Sequence, residues 1–303
     1  MKRWRQYWFF GIIILILISW AANIAFYESK QLAAPIVLPS YIDKPAEDYQ
    51  SFSMLYLTNK RENIEATTLH INGVELYSDT DVTFFNDFSE GQVFEQEFIN
   101  YYLKRVTFTL RDVHIEQLKQ EGFDLEKIYL TFSNGQQVPA NIQHFELKEI
   151  GETVSVFDSG HGYSNSEEVR GDFSLVTQAL SLNKLILPDE LENMIKVKIM
   201  VLNDERSLSK VVDSVLSLPW EDVDAPLSSQ LDWPLQLEKD DKVGVIIDYT
   251  EAKKNAWNIQ SEITLTGMTD DGQKVKHSIL LESEPSLTQK QVNELVDKEG
   301  GKY

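Results

Sequence analysis

Cysteine is absent from this chain of 303 residues. Its absence excludes disulfide scaffolds, thiol nucleophiles, zinc sites built on thiolates and a lipid-modified N-terminal cysteine. The sequence also lacks any Asn-x-Ser/Thr acceptor for N-linked glycans. A large eukaryotic domain outside the cell with neither feature would be unusual, so a bacterial cell envelope is the simpler expectation for this chain if it is exported.

Positive charge is scarce. The chain has 28 Lys and Arg residues against 48 Asp and Glu, a formal net charge of −20. Lys2, Arg3 and Arg5 precede the first acidic residue, so the remainder carries −23. A surface that binds nucleic acid must neutralise phosphates, so we expect no nucleic acid partner, and acidic lipid headgroups are disfavoured for the same reason. Cations, basic peptides and neutral surfaces stay compatible, although the charge also simply keeps a domain soluble.

Charge is missing altogether between Trp8 and Phe26, where nearly every residue is apolar. About 20 such residues in a helix cross a hydrocarbon core of roughly 30 Å, so we predict a transmembrane anchor over residues 7–27. Because basic residues precede it, the positive-inside rule places residues 1–6 in the cytoplasm and the C-terminal bulk outside. A cleaved signal peptide is the alternative, but its apolar region is usually shorter and ends at a small-residue site that fits poorly here.

The rest of the chain has enough apolar residues for a packed core, since 42% of all residues are hydrophobic and 11% aromatic. Pro35, Pro39 and Pro45 indicate an extended stalk, although residues 36–38 would also suit a first edge strand. A Gly- and Ser-rich stretch near residue 151 divides two halves. The predicted organisation is therefore a stalk at 28–48, a first β-rich domain at 49–150, a second at 151–285, and a C-terminal helix and tail at 286–303, with one long β-sandwich as the alternative.

The fold class expected from these patterns is mainly β with some helix (α+β), in two β-sandwich-like extracytoplasmic domains. Alternating or continuous apolar runs predict strands, and Asn-Gly and Asp-Gly pairs predict hairpin turns between them. Helical spacing predicts helices at 94–102, at 115–121 before Gly122, at 208–216, and at 286–298, the last with a capping box formed by Ser286 and Gln289. The predicted strands are 52–58, 69–71, 82–85, 104–110, 127–132, 138–142, 172–177, 194–202, 243–247, 257–268 and 275–281.

One motif points towards metal chemistry. Residues 157–162 read FDSGHG, which resembles the Asp-Pro-Gly-His-Gly signature of zinc-dependent cell-wall amidases. The resemblance covers about six residues and implies His161 as a zinc ligand, with Asp158 and Glu167 as nearby carboxylates. Ser159 stands where that family has proline, and no downstream segment resembles the rest of the amidase site. The interpretation we favour is a flexible interdomain loop.

Other candidates carry a weaker signal. Asp79, Asp81 and Asp87 place several carboxylates in one segment, which would suit calcium, but the spacing does not match an EF-hand and a surface acidic loop is favoured. The scattered histidines have no metal-like spacing, and His277 is expected to be a packed residue. No Gly-x-Ser-x-Gly nucleophile elbow and no phosphate-binding glycine loop is present.

The leading hypothesis is a non-catalytic binding or accessory module of the bacterial cell envelope, anchored by one membrane helix and able to bind another envelope protein. We assign no catalytic residue and no cofactor. The alternatives are a cell-envelope hydrolase with a metal site near His161, and an accessory subunit that docks onto a membrane complex through its single helix.

Overall fold

The structure is a computed structural model that describes residues 2–79, 94–121, 124–149, 154–164, 168–203, 210, 212, 215 and 218–299. The described part is mainly β. Its α-helices are α1 (Lys2–Glu28), α2 (Asp112–Glu121), α3 (Thr250–Lys254) and α4 (Gln289–Glu299).

The described strands form four sheets. The strands are β1 (Ile36–Val37), β2 (Ser40–Pro45), β3 (Gln50–Asn59), β4 (Ala66–Ile71), β5 (Val74–Tyr77), β6 (Gln96–Glu97), β7 (Tyr101–Leu110), β8 (Ile128–Phe132), β9 (Gln137–Pro139), β10 (Ile142–Lys148), β11 (Phe157–Ser164), β12 (Val169–Val176), β13 (Leu180–Ile186), β14 (Lys196–Leu202), β15 (Leu235–Leu237), β16 (Lys242–Asp248), β17 (Asn258–Thr269) and β18 (Lys274–Ser283). Sheet A has the order β1-β3-β7-β6, sheet B β10-β2-β17-β13-β15 with β18 paired to β17, sheet C β5-β4-β8-β9, and sheet D β11-β12-β16-β14. All pairings within named strands are antiparallel except those of β2 with β10 and β17.

Two apolar cores contain most of the buried hydrophobic residues in the described part of the chain. The first joins sheets A and C with α2 and β10, and Phe52, Phe108 and Leu130 lie at its centre. The second joins sheets B and D, with Val245 and Ile263 among its most buried members. Sheet B combines two strands that precede residue 150 in the sequence, β2 and β10, with strands that follow it, such as β17. Because one sheet is shared in this way, the sheet does not mark a domain boundary, and the division of the chain near residue 150 stays a prediction.

Most of the predicted strands are confirmed, and so are the hairpins. The turn at Asn72–Gly73 has positive φ at both residues (47° and 90°), as a type I′ turn requires. The hairpin between β8 and β9 is confirmed too, but among its turn residues only Gly135 has a positive φ (81°), so the turn is longer than the two-residue type I′ turn expected. β9, with Pro139, is the edge strand that its proline predicted. The strand predicted at 82–85 lies outside the described residues, as does most of the helix predicted at 208–216.

Residues 36–37 and 40–45, which were expected to belong to an extended stalk, form strands instead. β1 is the edge strand of sheet A, the alternative that the sequence left open. β2 lies inside sheet B between β10 and β17, and Tyr41 and Ile42 are fully buried. The prolines are compatible with this arrangement because Pro35 and Pro39 flank the strands and Pro45 ends β2, so no central ladder position loses its N–H donor.

The helix predicted at 94–102 is wrong. Residues 96–97 and 101–110 are β6 and β7, joined by a tight turn. The apolar spacing that suggested a helical face comes from residues on the two arms of a hairpin. The C-terminal helix is confirmed, but its capping box is formed by Thr288 and Gln291 rather than by Ser286 and Gln289.

α1 is, within the described part of the chain, the one helix that is long and apolar enough to cross a membrane. It meets the length and composition of a membrane anchor and of a signal sequence alike. The helix joins the β-rich fold almost directly, because Leu32, only four residues after its end, is already buried. Both backbone groups of Leu32 are held by the Asn59 side chain, at 2.8 and 2.9 Å.

Candidate functional site

A cleft of about 450 Å³ opens where sheet A meets the ends of β12, β16 and β18. Its lining comes from distant parts of the sequence. It includes Arg105 on β7, Arg170 on β12, Lys253 on α3 and the residues that follow β18. Leu55 and Leu103 supply an apolar floor. An apolar floor with a few convergent polar groups is the usual composition of a binding site.

Arg105 is held by two carboxylates. Its guanidinium donates two parallel hydrogen bonds to Glu284, both 2.5 Å long, and its Nε donates to Glu95 at 2.7 Å. Burial lowers the pKa of Arg105, but the hydrogen bonds to Glu95 and Glu284 outweigh it, so the pKa is raised overall. The bidentate geometry fixes the guanidinium plane, because both N–H groups must point at one carboxylate. The arginine therefore serves as a rigid wall.

A second, smaller cleft of about 270 Å³ shares Arg105, Glu282 and Glu284 with the first. The two clefts are thus neighbouring compartments separated by the Arg105–Glu284 pair. Gln260 on β17 forms the bottom of the smaller one, where its amide makes hydrogen bonds to both backbone groups of Ser53 on β3. These contacts join sheets A and B beneath the groove.

Two residues that line the larger cleft have buried hydroxyl groups. Tyr249, at the end of β16, is only 2% exposed, and Ser283, the last residue of β18, is similarly buried. Within the described part of the chain, neither hydroxyl oxygen makes a hydrogen bond that satisfies the usual geometry, although the Tyr249 hydroxyl lies close to the backbone of Glu282. Burial raises the pKa of Tyr249, so the phenol stays protonated and can donate. Both oxygens are closed to solvent, so neither can contact a ligand in the cleft unless its side chain moves.

The lining of the cleft carries both signs of charge. Arg105 lies between Glu95 and Glu284, and Glu282, Arg170 and Lys253 also line the cleft. A zwitterionic or mixed-charge ligand would match this lining, because it could pair with groups of either sign.

The structure places the amidase-like motif in a strand instead of a loop. Residues 157–164 form β11, where Asp158 pairs with Leu175 and His161 pairs with Phe173 of β12. The interdomain loop that we favoured for this stretch is therefore wrong for these residues. Asp158 is exposed, and Glu167 lies outside the described residues. None of the described members of the motif lines either cleft.

The acidic segment expected as a calcium candidate is described only at its start. Asp79 accepts a hydrogen bond from Thr109 at 2.6 Å, whereas Asp81 and Asp87 lie outside the described residues. Over the ranges that the structure describes, no group of three His, Asp or Glu side chains is placed to hold a metal ion.

One serine–histidine pair exists that the sequence did not point to. Ser174 Oγ lies 3.0 Å from His277 Nε2, and the Ser174 hydroxyl also lies 3.5 Å from Asp172. A catalytic triad needs the carboxylate on the other side of the histidine, where it orients the ring. Here Asp172 contacts the serine instead, Ser174 is buried, and neither residue lines a cleft. His277 stacks on Phe157 at 4.5 Å, as a packed residue does, which confirms the expectation for this histidine.

The residues that build the cleft were missed by sequence reasoning because no local signal unites them. Arg105 and Glu284 are 179 positions apart, and neither belongs to a motif. The Arg170-Gly171-Asp172 tripeptide spells the cell-attachment sequence, but it lies within β12, where it pairs with β11 on one side and β16 on the other.

Comparison with known proteins identifies no family. No protein-family model matches the chain, and no curated protein matches it. Among solved structures, a Ca²⁺-stabilized adhesin of an Antarctic bacterium that binds ice matches with a TM-score of 0.21 and 8% identity, covering 84% of this chain and 49% of its own. A 1.5-MDa bacterial ice-binding adhesin matches with a TM-score of 0.19 and 12% identity, covering 86% and 66%. This chain thus spans about half of the first protein's chain and less than two thirds of the second's. The resemblance to these bacterial surface proteins is distant, and similarity at this level establishes no shared binding activity.

Proposed function

We propose that the chain is a non-catalytic binding module of the bacterial cell envelope, held at the membrane by α1 with two β-sandwich-like domains outside the cytoplasm. The observation that carries the proposal is the larger cleft, which combines the apolar residues Leu55 and Leu103 with acidic and basic side chains. Such a site binds by complementarity and needs no reactive group.

A protein ligand suits the cleft better than a glycan. Sugar-binding grooves usually present aromatic rings for stacking, but among the described residues that line the larger cleft the only aromatic one is Tyr249, which is buried. Trp233 and Trp257 pack against the second core instead, and the ring of Trp220 lies against Lys198. The mixed charges of the lining fit the charged side chains of an extended peptide segment.

Site-specific photo-crosslinking tests this function. A photoreactive amino acid replaces Ser286, which is exposed and lines the cleft, in the full chain produced in its own cells. The matched control places the same amino acid at Ser278, an exposed serine on β18 that lines neither cleft. We expect a discrete adduct from position 286 that is absent from position 278 and is lost when Lys253→Glu reverses one charge of the lining. Equal labelling from both positions would contradict a ligand site in the cleft.

Replacement of α1 separates this function from docking through the helix. If the cleft carries binding, the adduct at position 286 persists when residues 7–27 are exchanged for an unrelated transmembrane segment. Its loss would favour the accessory-subunit alternative, in which α1 itself recognises a membrane partner. Protease added to spheroplasts should in either case digest the β-rich part, since both hypotheses place it outside the cytoplasm.

A further inference from the structure

The most exposed large apolar side chain outside α1, within the described residues, is Ile99, at 74%. It lies in the turn that joins β6 to β7, at one end of sheet A. The turn is fixed in place, because the Ile99 N–H donates to Gln289 at 2.9 Å and its neighbour Phe98 is buried. The isoleucine is therefore presented to the surroundings by a well-bonded turn.

This turn lies at the end of sheet A that receives α1. β3 ends at Asn59 where β7 begins at Tyr101, and the Tyr101 hydroxyl donates to the backbone oxygen of Lys30 at 2.5 Å. Just beyond β3, the Lys60 N–H donates to the backbone oxygen of Asn100 at 3.0 Å. The next residue, Arg61, forms an ion pair of 2.7 Å with Glu28, the last residue of α1. A short series of contacts thus links the helix end to the turn.

The surroundings of the turn have the composition of a membrane interface. The rings of Phe94 and Tyr102 stack at 4.6 Å, and the Lys60 ammonium lies 5.3 Å from the centre of the Tyr102 ring. Aromatic rings and lysines with long apolar stems are the residues that settle at the headgroup level, since one end prefers hydrocarbon and the other water. Lys60 also forms an ion pair with Glu97, so the group carries little net charge.

We propose that this tip of sheet A, formed by Ile99, Phe94, Tyr102 and Lys60, rests in the headgroup region of the bilayer that α1 enters. The inference rests on the proposed function, because it takes α1 to be in the membrane. One isoleucine would not bind a bilayer by itself, but α1 makes the second contact intramolecular and so raises its effective concentration. A neutral phosphatidylcholine surface suffices, in keeping with the acidic charge of the chain.

Two contacts with the membrane would hold the module at a fixed tilt. Strand β7 rises by about 3.3 Å per residue, so Arg105, six residues after Ile99, lies within about 20 Å of the bilayer surface. The cleft is then held close to the membrane, where it meets segments of other membrane-bound proteins.

Nitroxide labels on single cysteines test the contact, and the absence of native cysteine makes each label unique. The full chain is reconstituted in phosphatidylcholine nanodiscs with a label at Ile99→Cys, at Leu15→Cys inside α1, or at Val113→Cys. Val113 is the matched control, since it is an exposed apolar residue on α2, just past the opposite end of β7. Collisions with oxygen, which partitions into lipid, are compared with collisions with a water-soluble nickel complex.

We expect the ratio of oxygen to nickel accessibility to be highest at position 15, and several-fold higher at position 99 than at position 113. Equal ratios at positions 99 and 113, with position 15 still in lipid, would overturn the tip contact and leave the anchor intact. A water-like ratio at position 15 would overturn the anchor and the tip contact together. A label at Asn100→Cys, which keeps Ile99, repeats the test, and its ratio is expected to fall to the control value on Ile99→Ser.

Discussion

The side-chain amide of Gln260 makes hydrogen bonds to both backbone polar groups of Ser53. It accepts from the Ser53 N–H at 2.9 Å and donates to the Ser53 oxygen at 2.6 Å. Gln260 belongs to β17 in sheet B and Ser53 to β3 in sheet A. Side-chain hydrogen bonds, rather than backbone pairing between strands, therefore connect the two sheets at this point. Asn258 adds a second donor to the same oxygen at 2.7 Å. One residue of β3 is thereby fixed from the opposite sheet, directly beneath the smaller cleft.

Replacing Gln260 by leucine should therefore destabilise the fold. The change keeps the size of the side chain but leaves the Ser53 N–H without its acceptor, at a cost of about 1–3 kcal/mol in the free energy of unfolding. Chemical denaturation of the full chain in detergent measures the loss. Gln143→Leu is the control, since Gln143 is exposed and should change stability by less than about 0.5 kcal/mol. Equal losses in the two variants would refute the role given to the Ser53 contact.

Asn59 should hold the junction between α1 and the fold. Its buried side chain satisfies the N–H and the oxygen of Leu32, so Asn59→Leu removes two hydrogen bonds at once. We expect a loss of about 2–3 kcal/mol and faster hydrogen exchange at the Leu32 amide, because that amide would open locally. The control Asn134→Leu alters an exposed turn residue and should leave the exchange of Leu32 unchanged. A flexible stalk would instead give fast exchange in the unaltered chain.

Gly244 is required for the packing of Phe173. A Cβ atom at position 244 would lie 2.5 Å from Phe173 Cε1, so Gly244→Ala should destabilise the chain by about 1–3 kcal/mol. Because the obstacle is a side chain, adding Phe173→Leu to Gly244→Ala should restore part of the lost free energy of unfolding. Gly267→Ala offers a matched comparison, since its Cβ would lie 2.5 Å from the backbone oxygen of Ser181 and no side-chain change can relieve it. Denaturation curves of Gly244→Ala, of Gly244→Ala with Phe173→Leu, and of Gly267→Ala measure these effects. If Phe173→Leu restores no stability, the contact with Phe173 is not the reason that position 244 requires glycine.

Local patterns were enough to predict much of the β-structure. The hairpin at Asn72–Gly73 and the pair β17–β18 have turn residues and alternation within one short stretch, so each is specified by neighbours in sequence. β2 is different, because its partners β10 and β17 lie about 100 and more than 200 positions away. Nothing within residues 40–45 reveals those partners, and three nearby prolines suggested a stalk.

The cleft could not be predicted for the same reason. Arg105 occurs in a strand that the alternation predicted correctly, yet its role depends on Glu284 and Glu95, which the fold brings to it. Tyr249 and Ser283 are ordinary residues at strand ends, and only the fold brings them to the same cleft. By contrast, FDSGHG drew notice as a motif but lies in β11, away from both clefts.

His277 should make stability depend on pH. Burial lowers its pKa from 6.5 to about 4. Between these values the unfolded chain binds a proton at this histidine and the folded chain does not, so protons favour unfolding. The penalty is absent above pH 6.5 and grows as the pH falls towards 4. Allowing for the part of the ring that stays exposed, we expect the free energy of unfolding to fall by about 1–3 kcal/mol over this range.

The free energy of unfolding at pH 7 and at pH 4.5 measures this effect, in the unaltered chain and in His277→Gln. The carboxylates titrate in both proteins and cancel in the comparison. Glutamine keeps a group that can bond to the Ser174 hydroxyl but does not titrate, so the variant should lose less stability on acidification than the unaltered chain. Identical losses would mean that the folded ring accepts a proton freely, which its stacking on Phe157 and its contact with buried Ser174 argue against.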